Sequence, residues 1–244
     1  MAPLADPRSP IVTRPVLVLR PPPGDAATAT RLIEAGLQPI RLPLFAATPL
    51  EWRRPDGSFD ALLLTSANAV RHAGPGLAAL CDLPVVAVGA ATADAARAAG
   101  LTVAVVGGGD AETASALARA RGWLRMLRLA GRERIPLADV TDVPVYGADP
   151  VPLPPGALAV AAGAVALLHS PRAARRFAAL IDRDTVDRTA VRIAALSPAV
   201  AAAAGEGWAC APSADRPTDA ALVALAARLA IDRSGRGGDK AGHG

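Results

Sequence analysis

ALLLTSANAV, residues 61–70, is an apolar run that ends on a threonine and a serine and passes straight into a helix-forming segment. Four consecutive apolar residues bounded by small polar ones describe a strand buried on both faces, as in a parallel sheet. No histidine or carboxylate follows immediately to activate the two hydroxyls. Thr65 and Ser66 therefore read as the start of a helix, where a side-chain oxygen accepts from exposed N–H groups, rather than as an unfinished nucleophile.

The pattern returns downstream. VALLHSPRAA at 165–174 sets Ser170 against Ser66, and AALSPAVAAAA at 194–204 sets Ser197 against Gly89 of VAVGAATADAA at 86–96. Each copy reads strand, small polar turn, helix, strand, small polar turn, alanine-rich helix. The chain around these copies keeps the alternation. Strands are predicted at 15–20, 37–45, 60–64, 84–88, 102–106, 123–129, 164–168 and 191–196, with a short one near 208–211. Helices are predicted after PPPGD up to Gly36, and at 66–80, 91–99, 110–120, 171–180, 198–205 and 217–231. Such alternation predicts an α/β fold of parallel sheets covered on both faces. Pro39 and Pro43 mark the second strand as an edge or as chain leaving the sheet. VPVYGADPVPLPPG at 143–156 reads as an extended connector rather than a layer.

The echo and the prolines together imply an insertion. A strand-helix-strand unit precedes one copy, whereas the proline-rich segment precedes the other. The simplest arrangement joins 15–45 to 157–232 as a discontinuous first lobe and inserts 46–148 as a second. The expected architecture is two similar, flavodoxin-like parallel-sheet lobes joined by a two-stranded extended linker. Residues 1–14 form an N-terminal extension, and 233–244, rich in Gly and charge, read as a disordered tail.

Composition narrows the function. A 244-residue chain with 52% hydrophobic residues has ample material for a core. Its net charge of +4 suits an anionic small molecule, but without a clustered basic face or interleaved aromatics it does not indicate nucleic acid. Cys81 and Cys210, with His72, His169 and His243, show no metal-ligand spacing, so neither a metal site nor Cys/His catalysis is expected. Both thiols are expected to be buried and to suit a reducing cytosol. The first fourteen residues carry proline and charge where a signal peptide needs an apolar core. A soluble, cytoplasmic monomer that does not engage membranes is expected. GGGD at 107–110 lacks the ending of a P-loop, so Asp110 or Thr113 is expected simply to start a helix.

Several stretches, taken in order, resemble the uroporphyrinogen-III synthase family. They are VLVLRP at 16–21, DALLLTSANAV at 60–70, VAVGAATADAARAAG at 86–100, RLAGRERIP at 128–136 and VPVYGADP at 143–150. The resemblance covers about 15–230 and rests on serial agreement rather than on any single motif. It implies a cofactor-free lyase that closes linear hydroxymethylbilane into a macrocycle, with loss of water and inversion of the last pyrrole ring. It also implies two α/β domains joined by a two-stranded ladder, with substrate in the cleft between them. Two departures stand out. LSPAVA at 196–201 keeps only Ser197 among the expected hydroxyls, and the short segment between Arg134 and Val143 suggests a helix trimmed to a turn.

Such a substrate carries acetates and propionates, which helix N-termini favour without gripping one geometry. The turns at Thr65–Ser66, Gly89–Thr92, Ser170–Pro171 and Ser197–Pro198 are the candidate grips, with Asn68 and Thr92 adding direct hydrogen bonds. Arg20, Arg132, Arg134 and Arg172 are candidate carboxylate partners. Arg20 and Arg172, at predicted strand ends, are favoured. Tyr146 matches a tyrosine of the resembled family and is the candidate proton donor for departure of the hydroxyl. Two other readings fit the same architecture: a non-catalytic two-lobed binding protein for an anionic small molecule, and a degenerate synthase-like domain with an assembly role.

Overall fold

A computed structural model of the chain describes residues 13–231. The N-terminal extension up to residue 12 and the tail from residue 232 lie outside the described residues. In chain order the elements begin with β1 (Val16–Val18), α1 (Gly24–Glu34), β2 (Pro39–Arg41), β3 (Phe45–Pro49), β4 (Ala61–Leu64) and α2 (Ala67–His72). There follow β5 (Val85–Ala87), α3 (Ala90–Ala98), β6 (Val103–Val106), α4 (Ala111–Arg119), β7 (Met126–Gly131) and β8 (Val140–Pro150). The chain then forms β9 (Val165–Leu168), α5 (Pro171–Arg183), β10 (Arg192–Ala195), α6 (Pro198–Ala204) and α7 (Asp219–Ala230).

The chain divides into two compact units, one made of residues up to Phe45 and from Pro150 onward, the other of Ala46–Asp149. In the first, a four-stranded sheet has the order β10-β9-β1-β2, with all neighbours parallel. Every position of β1 and β9 is buried. This is why their sequences are unbroken apolar runs: Leu17 and Ala166 face one cluster with Phe177, while Val16, Val18 and Val165 face another with Leu222 and Ala226.

The second unit is built around a six-stranded sheet of order β3-β8-β7-β4-β5-β6. Here Leu62 and Leu64 face one cluster and Ala61 and Leu63 the other. The pairing order echoes the first sheet, since β10-β9-β1-β2 and β5-β4-β7-β8 are equivalent rows. The difference is that β1 and β2 precede their partners in the chain whereas β7 and β8 follow theirs.

Proline accounts for the main differences from the sequence reading. Residues 37–45 form two strands instead of one. The N–H groups of Leu42 and Leu44 still reach β1, bonding to Val18 and Leu19, while Pro43 between them has no N–H to contribute. β2 is an edge strand, as Pro39 predicts. The helix expected over 66–80 stops at His72 and gives way to a 3-10 turn over Gly74–Leu80, because Gly74 takes φ +62° and Pro75 cannot continue an α-helix. Cys81, just after that turn, is exposed rather than buried.

The largest correction concerns 143–156. It is not merely a connector, because Val140–Pro150 is a strand inside the sheet, parallel to β7. Its register slips once, with Ala130 opposite Pro144 but Gly131 opposite Tyr146, so Val145 is the extra residue of a bulge. That bulge accommodates a proline in an interior strand and re-aims the next side chain.

β3 and β8 run in opposite directions, since Val151 N–H donates to Leu44 O while Leu50 N–H donates to Val145 O. Arg176 on α5 donates from Nε to Leu44 O at 3.1 Å and from Nη2 to Val151 O at 2.6 Å, pinning both passes of the chain at one place.

Candidate active site

In an open parallel sheet the crevice lies at the carboxyl ends of the strands, where the order of connections reverses. In the second unit the chain runs from β4 outward to β5 and β6, then returns to the other side of β4 as β7. The reversal therefore falls between Thr65–Ser66, which follow β4, and Ala130–Gly131, which end β7. A cavity of about 510 Å³ lies there, lined by Thr65, Ser66, Gly131, Arg134 and Tyr146 among others.

Each of these residues is placed by local chemistry. Ser66 is extended at φ −156°, and its side chain accepts from Asn68 N–H at 3.1 Å. Tyr146 stands just beyond the bulge, and a Cβ on Gly131 would lie 3.1 Å from the ring, so the glycine makes room for it. The ring of His72 packs against that of Tyr146 at 5.9 Å between centroids.

An ion-pair cluster forms part of the cavity wall. Arg128, only 3% exposed, donates from Nε and Nη2 to the two oxygens of Asp142 at 2.5 and 2.7 Å. Arg134 adds a third bond to Asp142 at 3.0 Å. Burial opposes the charge of Asp142, but the hydrogen bonds from Arg128 and Arg134 more than offset it, so its carboxyl titrates below the usual range.

Other candidates are placed differently. Asn68 accepts from Arg71 Nη1 at 3.1 Å. Thr92 is 6% exposed and sits on the buried face of α3, which leaves its hydroxyl little access to a ligand. Gly89 caps α3 without any side-chain bond, and neither Gly89 nor Thr92 lines the cavity. Asp110 accepts from Thr113 N–H at 2.7 Å as an ordinary helix cap, as the GGGD reading predicts.

In the first unit the equivalent reversal lies between β1 and β9, and a carboxylate of the chain itself occupies it. Asp219, at the start of α7, receives Arg20 at 3.2 Å, Thr28 Oγ1 at 2.7 Å, Arg31 at 2.6 Å and His169 Nε2 at 2.9 Å. Arg20 thus has an internal carboxylate partner. Ser170 caps α5 by accepting from Ala173 N–H, whereas Ser197 makes no side-chain cap bond to α6. Arg172 lies over the ring of Phe45 at 4.4 Å.

Sequence reasoning missed Asp142, Arg128, Asp219 and His169 as organising residues. The only signal was a buried-strand arginine inside MLRLAG, an unusual guest in an apolar run.

The Asp219 cluster carries a pH signature. Burial holds His169 below its usual pKa against the opposing bond to Asp219, and Asp219 is itself lowered, its hydrogen bonds outweighing its own burial. A depressed histidine contributes stability that is complete above its unfolded value, about 6.5, and is lost as pH falls towards its folded value. A depressed aspartate contributes above about 3.9 and loses its share as pH falls through its folded value. Melting temperature is expected to decline on acidification below about pH 6.5, with the first part of the decline flattened in His169→Gln. A wild-type melting temperature constant from pH 7 to 5 would contradict this.

A parallel-sheet α/β chain with a crevice at a topological switch point has the architecture in which ligands are bound at the carboxyl edge of the sheet. No helix among the described residues is long and apolar enough to cross a membrane. The family profile "Uroporphyrinogen-III synthase HemD" matches residues 26–224, so the chain belongs to the uroporphyrinogen-III synthase family. Its activity is that of this family, a lyase of tetrapyrrole biosynthesis.

A crystal structure of uroporphyrinogen-III synthetase from Helicobacter pylori is similar at TM-score 0.59 and 16% identity, covering 89% of this chain and 99% of that one. That likeness bears on the fold, an α/β arrangement with parallel sheets. A uroporphyrinogen III synthase structure from Thermus thermophilus aligns over 88% of this chain and 97% of its own, with 18% identity and TM-score 0.39. Among curated proteins there is no match.

Proposed function

We propose that the chain converts hydroxymethylbilane to uroporphyrinogen III in the crevice of the second unit, with loss of water and inversion of ring D. The observation that carries this reading is the cavity at the β4/β7 switch point, which brings Thr65, Ser66 and Tyr146 together. In the same reading the two compact units are flavodoxin-like lobes, and the antiparallel pair β3 and β8 is the two-stranded linker. The chain acts as a cytoplasmic monomer, and two free thiols suit that reducing compartment.

Tyr146 is the proton donor. Its phenol protonates the terminal hydroxyl, water leaves, and an azafulvene cation remains. A substituted pyrrole carbon then attacks that cation, and the resulting spiro intermediate reopens and recloses with the ring inverted, releasing a proton. Thr65, Ser66 and the N–H groups that follow them hold the substrate in place. α2 is only six residues long, so it offers individual N–H donors and hydroxyls rather than a full helix dipole. Gly89 and Asn68 remain substrate contacts in this proposal, whereas Ser170, Ser197 and Arg172 belong to the first unit and do not line this cavity. Thr92 and Arg20 act indirectly, one through packing and the other through Asp219.

The test supplies hydroxymethylbilane made in situ, oxidises the products and separates the porphyrin isomers. Isomer III is expected in excess over the symmetric isomer I that forms without catalysis. A mixture holding isomer I alone would refute the proposal.

A further inference from the structure

Residues 132–139 return the chain from the end of β7 to the start of β8, with Met126 beside Val140. A six-residue strand is about 20 Å long, and residues 132–139 span at most about 26–29 Å when extended. The return is therefore taut, with no length left for a helix, and it runs as turns and extended chain. The expected trimming of this segment has a structural outcome, because two of its residues are tied to the strands. Ile135 O accepts from Arg128 Nη2 at 2.9 Å, and Arg134 donates from Nε to Asp142.

Arg134 also donates from Nη1 to Arg132 O at 3.1 Å. Its Nη2 has no hydrogen bond among the described residues, on a side chain 28% exposed that lines the same cavity as Ser66 and Tyr146. The cluster of Arg128, Asp142 and Arg134 holds two positive charges against one negative. Asp142 is already matched by the two-pronged grip of Arg128, which leaves the second positive charge for something else.

Three acids also line the cavity: Asp110, Glu112 and Glu133. Asp110 is committed to capping α4, and Glu133 pairs with Arg132. Glu112 is exposed in the first turn of α4. These charges restrict an incoming anion to the donor edge of Arg134.

We propose that Arg134 receives one side-chain carboxylate of the linear tetrapyrrole, and that Asp142 and Arg128 are positioning residues that pre-set its guanidinium. This rests on the substrate occupying the cavity of the second unit. Pinning an arginine by two bonds before the ligand arrives removes most of the rotamer freedom that binding would otherwise have to freeze.

The test measures steady-state kinetics with hydroxymethylbilane generated in situ, isomer ratio and melting temperature for the wild type, Arg134→Gln, Arg134→Lys and Asp142→Asn. Losing a charge-assisted bond is expected to raise KM by about tenfold to a hundredfold in Arg134→Gln, with kcat nearly unchanged and melting temperature preserved. Arg134→Lys is expected to recover part of the loss, since it keeps the charge without the fork. Asp142→Asn is expected to raise KM and also to lower the melting temperature. An unchanged KM in Arg134→Gln, a fall in kcat at unchanged KM, or a KM increase that comes with unfolding and is not rescued by lysine, overturns the assignment. Formation of isomer I alone by the wild type is a different failure, that of the synthase reading itself, and is visible before any variant is made.

Discussion

Asp142→Ala is expected to destabilise the Ala46–Asp149 unit by about 3–5 kcal/mol, the cost of removing one partner of a buried ion pair. The carboxylate accepts two bonds from Arg128 and one from Arg134, and Arg128 is almost completely buried. With the carboxylate gone, among the described residues only Ile135 O still accepts from that guanidinium, which leaves a positive charge inside a sheet with little to answer it. Arg134→Ala, by contrast, removes a half-exposed cation and leaves the main pair intact, so its stability cost is expected to stay under about 1 kcal/mol. Urea unfolding followed by tryptophan fluorescence separates the two outcomes, because Trp52 and Trp123 both lie in this unit. A shift of less than about 1 kcal/mol for Asp142→Ala would show that the cluster is screened by solvent.

Tyr146→Phe is expected to lower kcat about 10²-fold, at the lower end of the range for a positioned proton donor, while KM and melting temperature hold. Phenylalanine keeps the ring, and with it the packing on Gly131 and against His72. Only the hydroxyl is lost, so a change in turnover reports on proton donation and not on structure. Isomer-resolved product analysis of single-turnover reactions is the measurement. Turnover equal to wild type would assign Tyr146 to packing alone.

Buried strands were the most legible part of the fold. β4, β5, β9 and β10 lie within the predicted runs because both faces of each are covered, which forces continuous apolar sequence. β8 was illegible for a specific reason. Val143, Val145 and Gly147 are buried at period two, yet Pro144 and Pro150 drew the segment towards a connector. Only the pairing register reveals the bulge that tolerates Pro144.

The site divides in the same way. Thr65, Ser66 and Tyr146, which line one cavity, were legible as candidates because a small polar turn after a buried strand and a lone tyrosine are visible locally. The surroundings of Arg20 and Arg134 were not legible, since they depend on which aspartate each one meets. Arg20 meets Asp219, far away in sequence, and is engaged by it, whereas Arg134 meets an Asp142 that Arg128 already holds. Long-range pairings of this kind leave no trace in spacing.

The seam where Val151 bonds to Leu44, held by Arg176, has an evolutionary consequence. The two cut ends of the host unit are neighbours, so everything from Ala46 to Asp149 is, for that host, a single oversized hairpin loop. Lengthening a loop adds closure cost only logarithmically, and a surface hairpin is where a gene tolerates foreign sequence. The guest arrives with its own ends paired, Thr48 bonding to Asp149 and Leu50 to Val145. A duplicated and permuted copy of the host could therefore have settled there without disturbing either core. Later substitutions in one core would not need to be matched by substitutions in the other.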